Sequence, residues 1–268
     1  MSRISEAFRS ARAENRGALV VYLTAGDPNL AVTRELVPAL ARAGADVIEL
    51  GMPYSDPLAD GPTIQQAGQR ALAAGATVAG IFDTVRAIRR NCQVPMLMMT
   101  CFNPVLRHGL EDFAAEAAAA GLDGVLISDL PPEEAGAWTQ VAWRQGLDTI
   151  FLVAPTTPPD RARLIADLTR GFVYAISRPG VTGAREDLPP GLPELIGRLR
   201  QVTDKPIAVG FGISTPEQVA AVCRIADGAV VGSALVQIIA ELGGAEDLFY
   251  VAPNFVSELA RATRRERP

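Results

Sequence analysis

Histidine and lysine are almost missing from this chain of 268 residues: His108 and Lys205 are the only examples of each. Their scarcity removes most of the usual catalytic repertoire. A Ser-His-Asp arrangement or a metal-dependent aldolase would call on histidines that are not there. Schiff-base chemistry needs a lysine at the reacting face. Lys205 directly precedes Pro206, at the entry of an expected strand and opposite the end where α/β enzymes place chemistry. Cysteine is sparse as well. Cys92, Cys101 and Cys223 show no C-x-x-C spacing, so neither a disulfide framework nor a zinc site is supported, and a reducing cytoplasm fits. Basic residues are not in excess: the net charge of -5 argues against a nucleic-acid partner. No apolar run reaches the roughly 18 residues of a membrane span. No Gly-x-Gly-x-x-Gly follows the first strand, which weakens the case for a dinucleotide fold.

What is present is alternation. Short β-branched or Leu-rich runs at 19–24, 46–50, 95–100, 124–128, 149–153, 172–177, 206–211 and 229–231 read as strands. Ala-rich helical patterns fall between them at 30–43, 64–74 with 81–90, 110–120, 132–145, 159–168, 192–202, 216–225 and 247–264. Eight strand–helix units in about 250 residues is the arithmetic of an α/β (β/α)8 TIM barrel. An open doubly wound sheet is the runner-up. The stretch 1–17 is Arg-rich and amphipathic. Glu6 and Glu14 speak against a transit peptide, so an extra N-terminal helix docked on a single domain spanning 1–268 is expected.

One strand carries a charge where it should not. In Asp46-Val-Ile-Glu-Leu50, Glu49 sits among apolar neighbours. Alternate residues of a barrel strand face inward, so Val47 and Glu49 share the interior side. A carboxylate buried there shifts its pKa or meets a partner. It reads as a structural ion pair at the barrel mouth or as a general acid/base with a raised pKa. Gly51 and Pro53 end the strand, and a long polar loop runs to Asp60. Gly61-Pro62 then opens a helix. Asp60 alone could be a turn residue, but its proximity to Glu49 makes it a candidate partner. The sixth loop, Ser177-Arg-Pro-Gly-Val-Thr-Gly-Ala-Arg185, is also long, and its glycines suit a lid.

Phosphate is the second theme. Phe211-Gly-Ile-Ser214 follows the seventh strand and Gly232-Ser233 the eighth. In (β/α)8 enzymes these loops commonly cradle phosphate with backbone N–H groups and a helix N-terminus. Tyr22 and Tyr174, on the first and sixth strands, and Phe211, ending the seventh, read as core residues or as the lining of a pocket. With lysine and histidine lacking, carboxylate acid/base work on a phosphorylated substrate that supplies its own electron sink is what remains.

These residues resemble a known family. Glu49-Leu-Gly-Met-Pro-Tyr-Ser-Asp-Pro-Leu-Ala-Asp-Gly-Pro-Thr-Ile-Gln65 is similar to the signature of the tryptophan synthase α subunit, as are Gly180-Val-Thr-Gly183, Gly210-Phe-Gly-Ile-Ser214 and Gly232-Ser233. The likeness is collinear over almost the whole chain. It implies cleavage of indole-3-glycerol phosphate to indole and glyceraldehyde 3-phosphate, in the last steps of tryptophan biosynthesis. Glu49 would protonate indole C3 and then accept the glycerol hydroxyl proton, and Asp60 would serve the indole N–H. Phe211, Gly212, Gly183, Gly232 and Ser233 would hold the phosphate. Tyr22, Ile64 and Tyr174 would line the pocket, and Thr182 would meet Asp60 on lid closure. The resemblance also implies a β subunit carrying pyridoxal phosphate in an α2β2 heterotetramer. Pro53, Asp56 and Asn103 would lie at the contact, and this chain would hold no cofactor of its own. Three positions differ from the family pattern. Cys101-Phe102 stands where two tyrosines are usual, Tyr22 where phenylalanine is common, and Pro179 opens the sixth loop. A stand-alone indole-releasing lyase and a non-catalytic subunit that activates a β partner are the alternatives.

Overall fold

The computed structural model describes residues 2–57, 60–176, 191–210 and 212–265. It is a barrel of parallel strands ringed by helices, as the alternation predicts. Strand β1 (Ala18–Thr24) leads to α2 (Leu30–Arg42), after an N-terminal α1 (Arg3–Ala13). Then come β2 (Val47–Gly51), α3 (Pro62–Ala73), α4 (Val78–Arg89), β3 (Met96–Thr100), α5 (Phe102–His108), α6 (Leu110–Ala120), β4 (Gly124–Ile127) and α7 (Gly136–Arg144). The second half holds β5 (Asp148–Ile150), β6 (Leu152–Val153), α8 (Pro159–Leu168), β7 (Val173–Ile176), α9 (Leu192–Arg200), β8 (Ile207–Gly210), α10 (Pro216–Ile225), β9 (Gly228–Val231), α11 (Ser233–Leu242) and α12 (Leu248–Ala262). Among the described residues no single helix is long and apolar enough to cross a membrane.

The strands run in the order β5-β4-β3-β2-β1-β9-β8-β7-β6. The two ends of that order are one stretch of chain. The fifth barrel strand, expected as a continuous run over 149–153, is interrupted at Phe151. Its lower piece pairs with β4 and its upper piece with β7. The ring therefore closes through the chain at Phe151, whose carbonyl accepts from Tyr174 N at 3.2 Å. Two helices, α5 and α11, were not expected. The pattern at 132–145 resolves into a 3-10 turn, Pro132–Glu134, and a helix that starts only at Gly136.

Alternation along each strand divides the core. Leu19, Val21 and Leu23 of β1, with Ile48 and Leu50 of β2, face the helices. Ala18, Val20 and Val47 face the barrel axis, with Leu97, Leu126, Ile150 and Phe172. The amphipathic start of the chain forms a plug below this axis. Ile4, Phe8 and Ala11, one stripe at helical spacing, are buried on α1 and join the inner core. The Phe8 ring lies 5.0 Å from that of Phe172. Ser2 caps the helix by accepting from Ser5 N at 3.2 Å, and its hydroxyl bonds Asp148.

Three aspartates lock the lower rim in the same way. Each stands just before a strand, accepts from a backbone N–H of an adjacent strand and pairs with an arginine. Asp46 takes Leu19 N and Arg16, Asp123 takes Met96 N and Arg89, and Asp227 takes Ile207 N and Arg200. The first residues of parallel strands leave such donors open, and a charged acceptor satisfies them strongly.

Candidate active site

Glu49 projects inward near the upper end of β2, opposite Tyr22 of β1 in the sheet register. It is 1% exposed, and its Oε1 has no hydrogen-bond partner among the described residues. Burial, with the neighbouring Asp60 charge adding, pushes its carboxyl up to about 8. At neutral pH the group therefore holds a proton, which is the state a general acid needs. Asp60 is raised less, to about 6, by burial. Two carboxyl groups of one cleft thus fall on opposite sides of neutrality, the kind of separation that acid and base chemistry calls for.

Asp60 is positioned by the start of α3. Its N–H donates to Pro57 O at 3.1 Å, and its carbonyl accepts from Gln65 Nε2 at 2.8 Å. Pro62 occupies the first turn of α3, where its missing N–H costs nothing. The helix is clamped by Arg70, which donates to both oxygens of the buried Asp27 at 2.8 and 2.7 Å. Bidentate pairing of this kind fixes orientation as well as distance.

The cleft above the inner core measures about 570 Å³ with its open mouth. Tyr22, Glu49, Asp60, Ile64, Tyr174, Gly212, Gly232 and Ser233 all line it. Both tyrosines lie over glycines of the adjoining strand. A Cβ at Gly51 would fall 2.0 Å from the Tyr22 hydroxyl, and one at Gly210 would crowd the Tyr174 ring. The pocket rings and those glycines are therefore a matched requirement. Gly212 has φ of 88°, a conformation that glycine adopts freely. Ser233, which lines the same cleft, opens α11, whose first-turn N–H groups have no partner within the helix. Four further lining residues, Met99, Leu152, Ile213 and Val230, were not singled out from sequence. Strand parity was the signal available for three of them: Met99 stands two residues after Leu97, Leu152 two after Ile150, and Val230 two after Gly228.

A buried acid in a barrel mouth, a second acid at the next helix start and a glycine-bearing wall in the same cleft agree with the expected signature. The family model described as "Tryptophan synthase alpha chain" covers residues 8–263. The chain belongs to that family. A Geobacter sulfurreducens tryptophan synthase alpha chain is 52% identical over 262 residues, spanning 98% of this chain and 99% of the relative. That of Chloroflexus aggregans is 51% identical over 266 residues, 99% of each. Among solved structures, a Mycobacterium tuberculosis tryptophan synthase superposes with a TM-score of 0.91 at 42% identity, covering 99% of both chains.

Seen as a tryptophan synthase alpha chain, the fold keeps its departures in view. The extra hydroxyl of Tyr22 shares one hydrogen bond with Thr24 Oγ1 at 3.3 Å. Cys101, in place of an aromatic, is buried, and burial pushes its thiol up to about 11, away from reactivity. Of the expected contact positions, Asp56 and Asn103 are exposed and Pro53 is half-buried. Asn103 Nδ2 donates to Tyr54 Oη at 2.6 Å, tying the loop after β2 to α5. Thr182, Gly183, Phe211 and the sixth loop, including Pro179, lie outside the described residues.

Proposed function

We propose that Glu49 and Asp60 carry the lyase reaction of the family, the cleavage of indole-3-glycerol phosphate to indole and glyceraldehyde 3-phosphate. The observation that supports this most is the Glu49 carboxyl: inside the barrel, protonated at neutral pH, with one oxygen unpartnered among the described residues. Glu49 gives its proton to indole C3. Electrons move from the ring nitrogen, leaving an indolenine cation that Asp60 stabilises by accepting the ring N–H. The Glu49 carboxylate then removes the proton from the hydroxyl on the carbon attached to C3. That oxygen becomes the aldehyde, the C–C bond breaks, and its electrons restore the indole. One residue serves as acid and then base, which returns it to its starting state.

Gly212, Gly232 and Ser233 hold the phosphate, helped by the positive end of α11. The ring lies beside Ile64, Tyr174 and the wall formed by Met99 and Leu152. The family implies a β subunit as partner. The finer reading is an α2β2 assembly meeting Pro53, Asp56 and Asn103, with pyridoxal phosphate on the β chain and none here. A cytoplasmic setting suits three buried free thiols.

The test is indole release from indole-3-glycerol phosphate with and without a β partner. Turnover that rises strongly when the partner is added supports the assembled lyase. Fast turnover by the isolated chain would assign a stand-alone enzyme. Absence of turnover in both settings would leave only an activating subunit and overturn the catalytic assignment.

A further inference from the structure

In the sheet, β1 lies between β2 and β9. Glu49 is on β2, and Gly232 with Ser233 follows β9. A substrate anchored by its phosphate at Gly232 and reacting at Glu49 must lay its linking chain across β1. The inward residue of β1 at that level is Tyr22, which faces Glu49 in register. A Cβ on Gly232 would sit 3.2 Å from Tyr22 Cβ, while the phenol reaches the other way, over Gly51. Tyr22 therefore underlies the whole span between the phosphate cradle and the reacting carbon.

The hydrogen-bond count at Tyr22 then decides what it offers. Tyr22 Oη and Thr24 Oγ1 share one hydrogen bond at 3.3 Å, and either could donate. Neither hydroxyl has another partner among the described residues. Two hydroxyl protons serve one bond, so one proton is left over. Thr24 is 2% exposed, and a buried donor without an acceptor is costly. Tyr22 lines the open cleft. The economical arrangement has Thr24 donating to Tyr22 and the phenolic proton directed into the cleft.

From this we infer that Tyr22 reads the hydroxylated chain of the substrate, donating a hydrogen bond to one of its glycerol oxygens, with Thr24 orienting the phenol. The inference rests on the proposed phosphate and Glu49 positions. It assigns to the hydroxyl a polar contact that a phenylalanine at this position lacks. A neutral donor that pairs with a substrate hydroxyl discriminates against analogues without it.

The experiment compares the intact enzyme with the double variant Tyr22→Phe/Thr24→Val, which removes both hydroxyls and leaves no buried orphan. Two ligands are used: indole-3-glycerol phosphate, and the indole alkyl phosphate whose linking chain is plain propyl. For the substrate, KM should rise about fivefold to tenfold with kcat within about twofold, the size of one neutral hydrogen bond. Competitive inhibition by the propyl analogue should stay within about twofold, because it has no hydroxyl to lose. The single variant Thr24→Ser keeps the orienting hydroxyl and should leave KM at the native value. A double variant that weakens both ligands alike, or neither, overturns the inference while leaving the site intact. Failure of the propyl analogue to compete in the native enzyme would instead overturn the phosphate and ring positions on which the inference stands.

Discussion

The two ends of the barrel treat the same chemical group in opposite ways. At the lower rim Asp46, Asp123 and Asp227 each receive a backbone N–H and an arginine. At the mouth Glu49 receives nothing on Oε1 among the described residues, and the charge of Asp60 opposes its ionisation. The lower carboxylates fasten strands together. The upper one is kept short of partners, which raises its proton affinity and lowers stability. A barrel whose strand starts are fastened this firmly can tolerate one acid held uncomfortably at the other end.

The contrast is broken most severely by Glu49→Gln. Turnover should fall by at least about a thousandfold, since general acid/base catalysis alone contributes roughly 10²–10⁴-fold and this residue acts twice. Binding of indole-3-glycerol phosphate should stay within a few fold, measured by calorimetry beside an indole-release assay. A variant keeping more than a tenth of native turnover would remove Glu49 from the mechanism.

Next comes the lower rim. Asp123→Ala strands Met96 N–H and takes the carboxylate from the half-buried Arg89, leaving its charge with only carbonyl partners. Stability should drop by about 3 kcal/mol, the cost of breaking a shielded pair, with kcat unchanged in the protein that remains folded. Denaturant unfolding checks the first half and steady-state kinetics the second. A loss of turnover without a loss of stability would erase the division between the two ends.

Glu49→Met should do the reverse. The folded pKa of Glu49 lies above its ordinary value of 4.5, at about 8. The folded state therefore binds more protons than the unfolded chain between those pH values, and native stability falls as pH rises through that window. Removing the carboxyl abolishes this loss. The variant should gain on the order of 5 kcal/mol over the native protein at pH 9, with the gain shrinking toward pH 4. Unfolding curves at several pH values supply the test, and a gain that grows on acidification would reverse the sign.

The mildest effect is the pH profile of the native enzyme. With Asp60 ionised above about 6 and Glu49 protonated below about 8, kcat/KM should be bell-shaped between those limbs. The alkaline limb is the sharper diagnostic, because the substrate phosphate also titrates near 6. A profile still rising at pH 9 would contradict a protonated Glu49.

Much of this was legible before any coordinates. Eight strand–helix units, the inward side of Glu49 and the two glycine loops all follow from local pattern. The elements that escaped are those for which pattern is mute. Phe102–His108 is a seven-residue helix with Pro104 in its first turn, and it resembles a turn in sequence. Ser233–Leu242 begins with the glycine-serine pair read only as a phosphate loop, and its apolar run serves a strand as well as a helix. The aspartate locks depend on which strands become neighbours, and composition does not carry that information. The hydroxyl pair of Tyr22 and Thr24 is visible as i, i+2 spacing, but its spare proton emerges only from a count of partners in space.

The interruption at Phe151 gives the pocket an uneven stiffness. Among the described residues, Leu152 belongs to a two-residue piece of sheet bonded along one side only, to β7, whereas the strand bearing Glu49 is held on both flanks. The wall proposed to meet the ring can therefore give way by small amounts while Glu49, the proposed acid, stays fixed. Bulk added to the aromatic end of a ligand is expected to be accommodated here at the seam, and bulk added near the phosphate is not.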